Sequence, residues 1–586
     1  MLKPSSLNNR WIRFFFFCSL GIIFNAGADS KQPENLLESI CPKPEFSEPR
    51  RRPGTVPRMQ YQDPTCRPNR LSTPRAEDFI DLTPVPDRWR IVESLGYPVN
   101  WLDPYNGSNP LKGDRPVFGD DWFVSLNAVS SSRLEVRDIP TTRVINNDVQ
   151  DSKSSFRPEN QFLFNQNFSF DTVIYKGDTV FRPPEYKFRF TPVINYNQIN
   201  NGSIVHEESS FAVQSLYAEK YLRDASAHYD FDSIRVGIQP FTSDFRGFLL
   251  LDQQLGVRLF GTRANNTFQY NFAWFRRLRK NNQNQNDLSR DLPDNDVFLA
   301  NLYWQDLFKL GFMSQFIVAY NRSREKGTGI IADDSFRGQL ATFKENTQHD
   351  YDVAYLGYNG DGRFGRVNLT TSIYYVVGKE SKGIFVDRNT DVRALFGAGE
   401  ISIDFDWLKP RLSALYASGD DDPFDHTAQG FDGISENPIF AGTNFGFFNR
   451  QGLPLLGNTI NLKRNNTFFN ALRSQADPGQ SNFTNPGINM IGLGVDINVL
   501  PELRISLEAN QTWFDKTAVL EAVLGKENIA RNIGQDISLT AIYRPFATQN
   551  LILSLSAAAL IPGKGYQDIY GGQIPFSIFS NIILSY

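Results

Sequence analysis

The chain has 586 residues, a net charge of −4, 21% charged residues and 13% aromatic residues, with a mean hydropathy of −0.37. It is too polar for a bundle of membrane helices and unusually aromatic for a soluble enzyme, and it lacks the basic excess of a nucleic-acid-binding protein. A membrane β-barrel accounts for the mixture, because one residue in two along each strand meets lipid.

The chain opens with Lys3, Arg10 and Arg13, then an apolar run from Phe14 to Phe24, then Ala26-Gly27-Ala28 before Asp29. This three-part pattern predicts a secretory signal peptide over residues 1–28. Its apolar run is too short to cross a bilayer. Beyond it, Cys41 and Cys66 are the remaining cysteines. In an exported chain they predict one disulfide, with two free thiols as the alternative. No Cys-x-x-Cys pair or His/Cys cluster offers a zinc site, and no cofactor is expected. No later stretch has the length and apolarity of a transmembrane helix, so a membrane must be crossed by strands.

Residues 29–119 are rich in proline and basic side chains, as at Pro49-Arg50-Arg51-Arg52-Pro53, and show no alternation. They read as a periplasmic arm or partial plug that could recruit a periplasmic protein. The later part, from Trp89 to Trp101, together with Trp122, is more aromatic and suited to packing on a barrel mouth.

From residue 120 to 586 the rhythm is period two. Tyr186, Phe188, Phe190, Pro192, Ile194 and Tyr196 share one face, with Lys187, Arg189, Thr191, Asn195 and Asn197 on the other. Phe162, Phe164, Phe168 and Phe170 alternate with polar residues, as do Ile537, Leu539, Ala541 and Tyr543. About 18 strands are predicted, near 121–137, 161–174, 185–198, 211–222, 230–240, 254–262, 267–277, 296–304, 310–321, 349–358, 364–377, 393–407, 411–418, 487–499, 502–514, 535–544, 549–560 and 575–586. Short connections, with a hairpin turn at Asn359-Gly360-Asp361-Gly362, alternate with long ones such as 278–295, 322–348 and 419–486. That asymmetry predicts an antiparallel transmembrane β-barrel in the outer membrane of a Gram-negative bacterium, with both termini on the periplasmic side. The terminal strand, with Phe576, Ile578, Ile582 and Leu584 on one face before Tyr586, resembles the signal read by the barrel-assembly machinery. It should pair with the first strand and remove the sheet edge.

If the aromatic faces meet lipid, Lys187, Arg189, Arg235, Arg258, Arg366, Arg411, Arg504 and Arg544 line the lumen. So do Asp171, Glu400, Asp404, Asp406, Asp496, Glu508 and Asp536. For Lys187, Arg189, Arg235 and Arg258 two readings stand: a ladder that guides an anion, or pairing with inward acids. Arg411, Arg504 and Arg544 are expected to pair with Glu508, Asp496 and Asp536. Trp274, Tyr374, Tyr375, Trp407, Tyr416, Trp513 and Tyr543 suit aromatic girdles at the membrane boundaries.

The segment Arg411–Asp432, RLSALYASGDDDPFDHTAQGFD, resembles the strand-then-acidic-loop region of the alginate-export type of outer-membrane β-barrel. The resemblance covers the barrel and implies passive export of an anionic polysaccharide through an arginine-rich pore. The chain departs from that pattern in its long arm and in the near balance of its inward charges. Within the segment, Asp420, Asp421, Asp422 and Asp425 offer hard oxygen ligands for calcium, or else form a solvated loop. The loop that follows, with Phe440, Phe445, Phe447 and Phe448, is too apolar to lie free in water, so it should fold inward as a constriction or pack on its neighbours.

No nucleophile elbow or zincin motif surrounds the histidines His206, His228, His349 and His426, so no enzyme is expected. The expected function is a porin-like channel for passive passage of a polar or anionic solute. The alternative is a non-transport barrel with a plugged lumen that serves as a surface-binding or scaffold protein. The expected partners are outer-membrane lipid, the assembly machinery and the solute, without nucleic acid.

Overall fold

The computed structural model describes residues 88–103, 108–142, 156–177, 183–202, 205–227, 230–281, 283–324, 350–381, 385–386, 388–442, 444–456, 460–464, 467–473 and 480–586. The expected signal peptide at 1–28 and the Cys41–Cys66 pairing lie outside these residues, as does most of the arm.

Eighteen long strands form one antiparallel barrel. They are β1 (Trp122–Thr142), β2 (Phe156–Lys176), β3 (Tyr186–Asn200), β4 (Val205–Asp224), β5 (Phe231–Thr242), β6 (Leu251–Arg263), β7 (Phe268–Arg276), β8 (Asn295–Gln305), β9 (Phe312–Ser323), β10 (Asp350–Phe364), β11 (Val367–Ser381), β12 (Asn389–Ile403), β13 (Leu408–Ala417), β14 (Ile488–Asn498), β15 (Leu503–Trp513), β16 (Asn532–Tyr543), β17 (Leu551–Pro562) and β18 (Phe576–Ser585). Each pairs with its neighbours in sequence, and β1 closes on β18 from Val129 opposite Ser585 to Arg137 opposite Ser577. Tyr586 extends the seam: its N–H donates to Ala128 O at 2.8 Å, and the Ala128 N–H returns a bond at 3.3 Å. Closure leaves no unpaired edge to template aggregation.

Period-two alternation decides the faces. On β9, Phe316, Val318 and Tyr320 point outward while Ile317, Ala319, Asn321 and Ser323 are buried inside. On β3, Phe188, Phe190 and Ile194 point outward while Asn195 and Asn197 are buried. The result is a continuous apolar outer belt, the mark of an outer-membrane barrel.

One end carries the connections 177–185, 225–230, 264–267, 306–311, 365–366, 404–407, 499–502 and 544–550, and the opposite end most of the long loops. The expected turn at Asn359-Gly360-Asp361-Gly362 is instead strand, and the turn is Gly365-Arg366, with Phe364 paired to Val367. A two-residue hairpin needs a left-handed residue, and Gly365 supplies it at φ 66°. Gly360 and Gly362 serve close packing: a Cβ on either would come within 2.7 Å of Phe312.

Near the short-turn end, residues 108–112 pack on the β1–β18 seam. The Leu126 N–H donates to Leu111 O at 2.7 Å, and Lys112 Nζ lies 4.2 Å from the centre of the Tyr586 ring. The Tyr586 hydroxyl accepts from Asn109 Nδ2 at 3.1 Å and donates to Trp101 O at 2.8 Å. Deleting Tyr586 removes these ties together with both backbone bonds of the seam. A lower yield of the heat-modifiable folded band on gels is the expected outcome, and an undiminished band would contradict it.

Candidate functional site

The loops of the long side turn into the lumen and fill much of it. Residues 243–250, between β5 and β6, form a tight turn around Asp244. Its carboxylate accepts from the backbone N–H groups of Arg246 (2.9 Å), Gly247 (2.6 Å), Phe248 (3.1 Å) and Leu249 (3.0 Å). The Tyr374 hydroxyl donates to the same carboxylate at 3.0 Å. The turn drives Phe248 into a ring cluster and sends Arg246 across the lumen.

The larger insertion is 418–487, between β13 and β14. Its Phe431 stacks on Phe396 of β12 with ring centres 4.7 Å apart. Phe469 meets both rings edge-on at 5.1 and 5.4 Å, and Phe248 lies 4.9 Å from Phe396. Edge-to-face and offset contacts of this kind add specific attraction to plain burial. Phe440 packs on Phe248, and Phe447 and Phe448 are buried. Of the two expectations for this aromatic loop, packing on a neighbouring loop is met by Phe440 on Phe248, while Phe431 and Phe469 pack inward on the wall ring Phe396.

Polar side chains lock the insertion to the wall. Arg450 donates to both oxygens of Glu135 on β1 (3.1 and 2.8 Å) and to Ser577 Oγ on β18 at 2.6 Å. The Asp536 carboxylate on β16 accepts from the N–H groups of Phe447 (2.8 Å) and Asn449 (3.2 Å). Within the insertion, Arg473 makes two bonds to Asp432, at 2.7 and 2.5 Å, and one to Glu436 at 3.3 Å; all three are buried. From the far side, loop 277–294 reaches the wall through Gln283 to Asn165 and Gln285 to Asn167, each at 2.9 Å.

Below this constriction, toward the short turns, two cavities share Arg246, Glu400 and Arg411. The larger, about 430 Å³, is also lined by Asp361, Arg363 and Lys409. The smaller, about 180 Å³, adds Asp496, Arg504 and Glu508. Arg246 spans them, donating to Glu400 Oε1 at 2.8 Å and to Thr370 Oγ1 at 3.0 Å. Arg411 binds Asp496 at 2.5 Å and also Glu508. The lining is ionic and mixed in sign, with the cations Arg246, Arg363, Lys409, Arg411 and Arg504 outnumbering the acids.

The inward residues read from sequence divide into groups. Glu400, Arg411, Asp496, Arg504 and Glu508 come together at the cavities. The expected pairing of Arg411 with Glu508 and Asp496 is present, whereas Arg504 bonds to Asn498 Oδ1 at 3.1 Å. Lys187, Arg189, Arg235 and Arg258 lie on the early strands. Arg189 holds Asp171 at 2.7 and 2.9 Å, and Arg235 holds Glu219 at 2.6 Å. Arg258 donates to the Asn271 amide at 2.6 Å and lies 4.6 Å from the centre of the Phe260 ring.

Four residues expected on lumen-facing strand positions lie in turns instead, although the Asp404 carboxylate still meets the cavity residues Asn368 and Lys409. Arg366, Asp404, Asp406 and Arg544 lie in the short turns, because β11 begins at Val367, β12 ends at Ile403 and β16 ends at Tyr543, each short of the expected boundary. Asp404 there pairs with Arg363 at 3.1 Å. Asp536 does point inward, but it is buried beneath the insertion rather than open to a pore. Of the expected girdle, Trp274, Tyr375, Trp407, Tyr416 and Tyr543 are exposed on the outer side, whereas Tyr374 is buried inside. The sequence reading missed Arg246, Asp244, Glu135, Arg450 and Glu219. A charged residue inside the otherwise apolar stretch Phe245–Leu251 was the available signal for Arg246.

The acidic segment does not gather its carboxylates for calcium. Asp422 accepts from the Phe424 N–H at 3.0 Å, Asp425 from the Thr427 N–H at 2.6 Å and Asp421 from Gln429 at 3.0 Å. Each is used in shaping its own turn, and no group of three or more ligating side chains forms among the described residues. Asp420 is buried at the root of the insertion. Desolvation, reinforced by the nearby Asp425, Glu380 and Asp421, raises its pKa to about 8. The neutral form thus belongs to the packed loop and the charged form to the opened one. Protection that Asp420 gives the loop is complete below the ordinary carboxylate value of 3.8 and is lost as pH rises to about 8. The protection factors of the insertion, corrected for the intrinsic rise of amide exchange with pH, should fall over this window in the wild type but not in Asp420→Asn.

Fold and site together define a transmembrane β-barrel of eighteen strands, constricted from within by its own long loops. No family model and no curated protein matches the chain, and neither comparison bears out the alginate-export resemblance. Among solved structures, the chain is similar to three from Pseudomonas aeruginosa. One is OccK5 (OpdH), at 10% identity over 78% of this chain and 97% of that one, with a TM-score of 0.40. Another is the outer membrane protein OpdK, at 10% identity over 78% and 98%, with a TM-score of 0.38. The third is OccK2 (OpdF) in complex with glucuronate, at 12% identity over 79% and 95%, with a TM-score of 0.41.

Proposed function

We propose that the protein is a passive outer-membrane channel for small polar or anionic solutes. The observation that carries this reading is the ionic vestibule around Arg246, Glu400 and Arg411, narrowed toward the long-loop side by packed rings. A strand wall of this circumference is too wide for its own side chains to fill. Loops have taken up the space and left a polar cavity of about 430 Å³, within the range of small-molecule sites. That size suits a small solute better than a polysaccharide chain. Cations slightly exceed acids along the lining, which favours anions without excluding dipolar solutes.

Single-channel recording in planar bilayers tests the proposal. The full chain is expected to conduct, and Arg246→Gln with Arg411→Gln to shift the reversal potential toward cations. Absence of conductance from both the full chain and a chain shortened in the insertion would overturn the channel reading.

A non-conducting barrel that presents its loops to a partner is the second reading. The fully buried Arg473–Asp432 pair favours it, since such packing resembles a permanent core. The arm at 29–119 could add to the filling. Conductance that appears on removing residues 29–87 would assign the block to the arm rather than to the loops.

A further inference from the structure

Outside the lumen, on the lipid-facing side of β2 to β5, the wall carries a hollow of about 280 Å³. It is lined by the large side chains of Phe188, Phe190, Leu216 and Val236 and by the smaller Thr172 and Ala218. The four large ones are exposed on the outer face, so the hollow is continuous with the lipid-facing belt. Beside it the sheet's ladders are interrupted. The β2–β3 ladder passes from Ser169 opposite Val193 directly to Thr172 opposite Phe190. On the other flank, the β3–β4 register slips between Thr191 and Pro192. Proline has no N–H to donate, so a strand interior that holds one loses ladder bonds on its flanks. From the lumen side the seam is held by the two-bond Arg189–Asp171 pair and by Thr191 Oγ1, which donates to Asp171 at 2.7 Å.

Two lysines stand at the rim: Lys176 on β2, also opposite Tyr186 but tied to Glu185 at 2.9 Å and Asp121 at 3.6 Å, and Lys220 on β4. Lys220 lies two residues beyond Ala218 on the same outward face, directly opposite Tyr186 in the register. Its ammonium sits 5.1 Å from the centre of the Tyr186 ring. Two strand residues span about 7 Å, roughly the offset between a lipid phosphate and the upper part of its acyl chain. This rim lies at the short-turn end of β3 and β4.

We propose that the hollow binds one phospholipid of the leaflet on the short-turn side, with an acyl chain seated over Thr172 and Ala218 and the phosphate at Lys220. An unfilled hollow in hydrocarbon would lose dispersion contacts on one side, and a seated chain restores them where Pro192 has thinned the ladder. The inference rests on the chain lying in a membrane and not on whether it conducts.

The test is native mass spectrometry of the full chain from detergent doped with palmitoyl-oleoyl phosphatidylglycerol. The wild type should retain one lipid, Ala218→Phe should lose it, and Lys220→Gln should retain less. Ala509→Phe, a control on the outward face of β15, should behave as wild type. If Ala218→Phe fails to give a heat-modifiable band, Thr172→Leu serves in its place. A wild type that retains no lipid, or a filled hollow that retains as much as the Ala509→Phe control, overturns the site. Unchanged retention by Lys220→Gln overturns the assignment of the phosphate.

Discussion

Replacing residues 432–482 with a short Gly-Ser linker is expected to raise single-channel conductance several-fold while the barrel still folds. The ends of the excised stretch already meet, since the Gly430 N–H donates to Phe483 O at 2.7 Å. The excision removes Phe440, Phe447, Phe448, Phe468 and Phe469 together with Arg450 and Arg473, which are the ring packing and the polar locks of the constriction. The wall is bonded strand to strand around the whole circuit and does not need the insertion for its ladders. Lumen volume would pass from packed side chains to water, and pore resistance would fall with it. The heat-modifiable band checks folding. Unchanged conductance in a folded variant would show that the insertion is not the constriction.

Arg473→Met should have the largest effect of any single substitution in the loop. Arg473, Asp432 and Glu436 are 2%, 0% and 1% exposed, so water cannot stand in for the lost guanidinium. Breaking a buried pair by removing one partner costs about 3–5 kcal/mol. Here the loss leaves two carboxylates facing one another, while Asp432 still accepts from the Asn482 N–H at 2.8 Å. The damage should be local. Limited proteolysis is expected to cut within 432–482 while the barrel fragments stay associated, and channel recordings should become noisier. Adding Asp432→Asn and Glu436→Gln removes the stranded charge and should restore much of the protease resistance. Resistance equal to wild type in Arg473→Met alone would contradict this account.

The wall was legible in the sequence because lipid on one side and water or packed loop on the other impose a strict two-residue rhythm. Each of the eighteen expected strands has an observed counterpart, and the faces read from Phe188, Asn195, Ile537 and Asp536 are correct. Strand ends were harder, since the rhythm fades where the chain leaves the membrane. That is why Arg366, Asp404, Asp406 and Arg544 were placed in the lumen when they lie in turns. Tyr374 failed for another reason: its nearness to a strand end suggested a girdle, but its parity sends it to the Asp244 turn. Ion pairing was partly legible. Arg411 could be matched to acids two strands away or fewer, but Arg246 reaches Glu400 from a loop 154 positions earlier. Nothing in local pattern encodes a contact at that separation. The inward course of 418–487 was readable only as a need for burial, without its partners.

Arg450 touches Glu135 on the first strand and Ser577 on the last. Those two side chains become neighbours when the ring of strands is completed, so the insertion cannot reach its final seat in an unclosed sheet. Completing the circle and seating the insertion are thereby one cooperative event. An assembly intermediate caught before the join should carry its phenylalanine-rich loop undocked and open to protease, and the finished protein should resist being unzipped at the very place where it was last sewn.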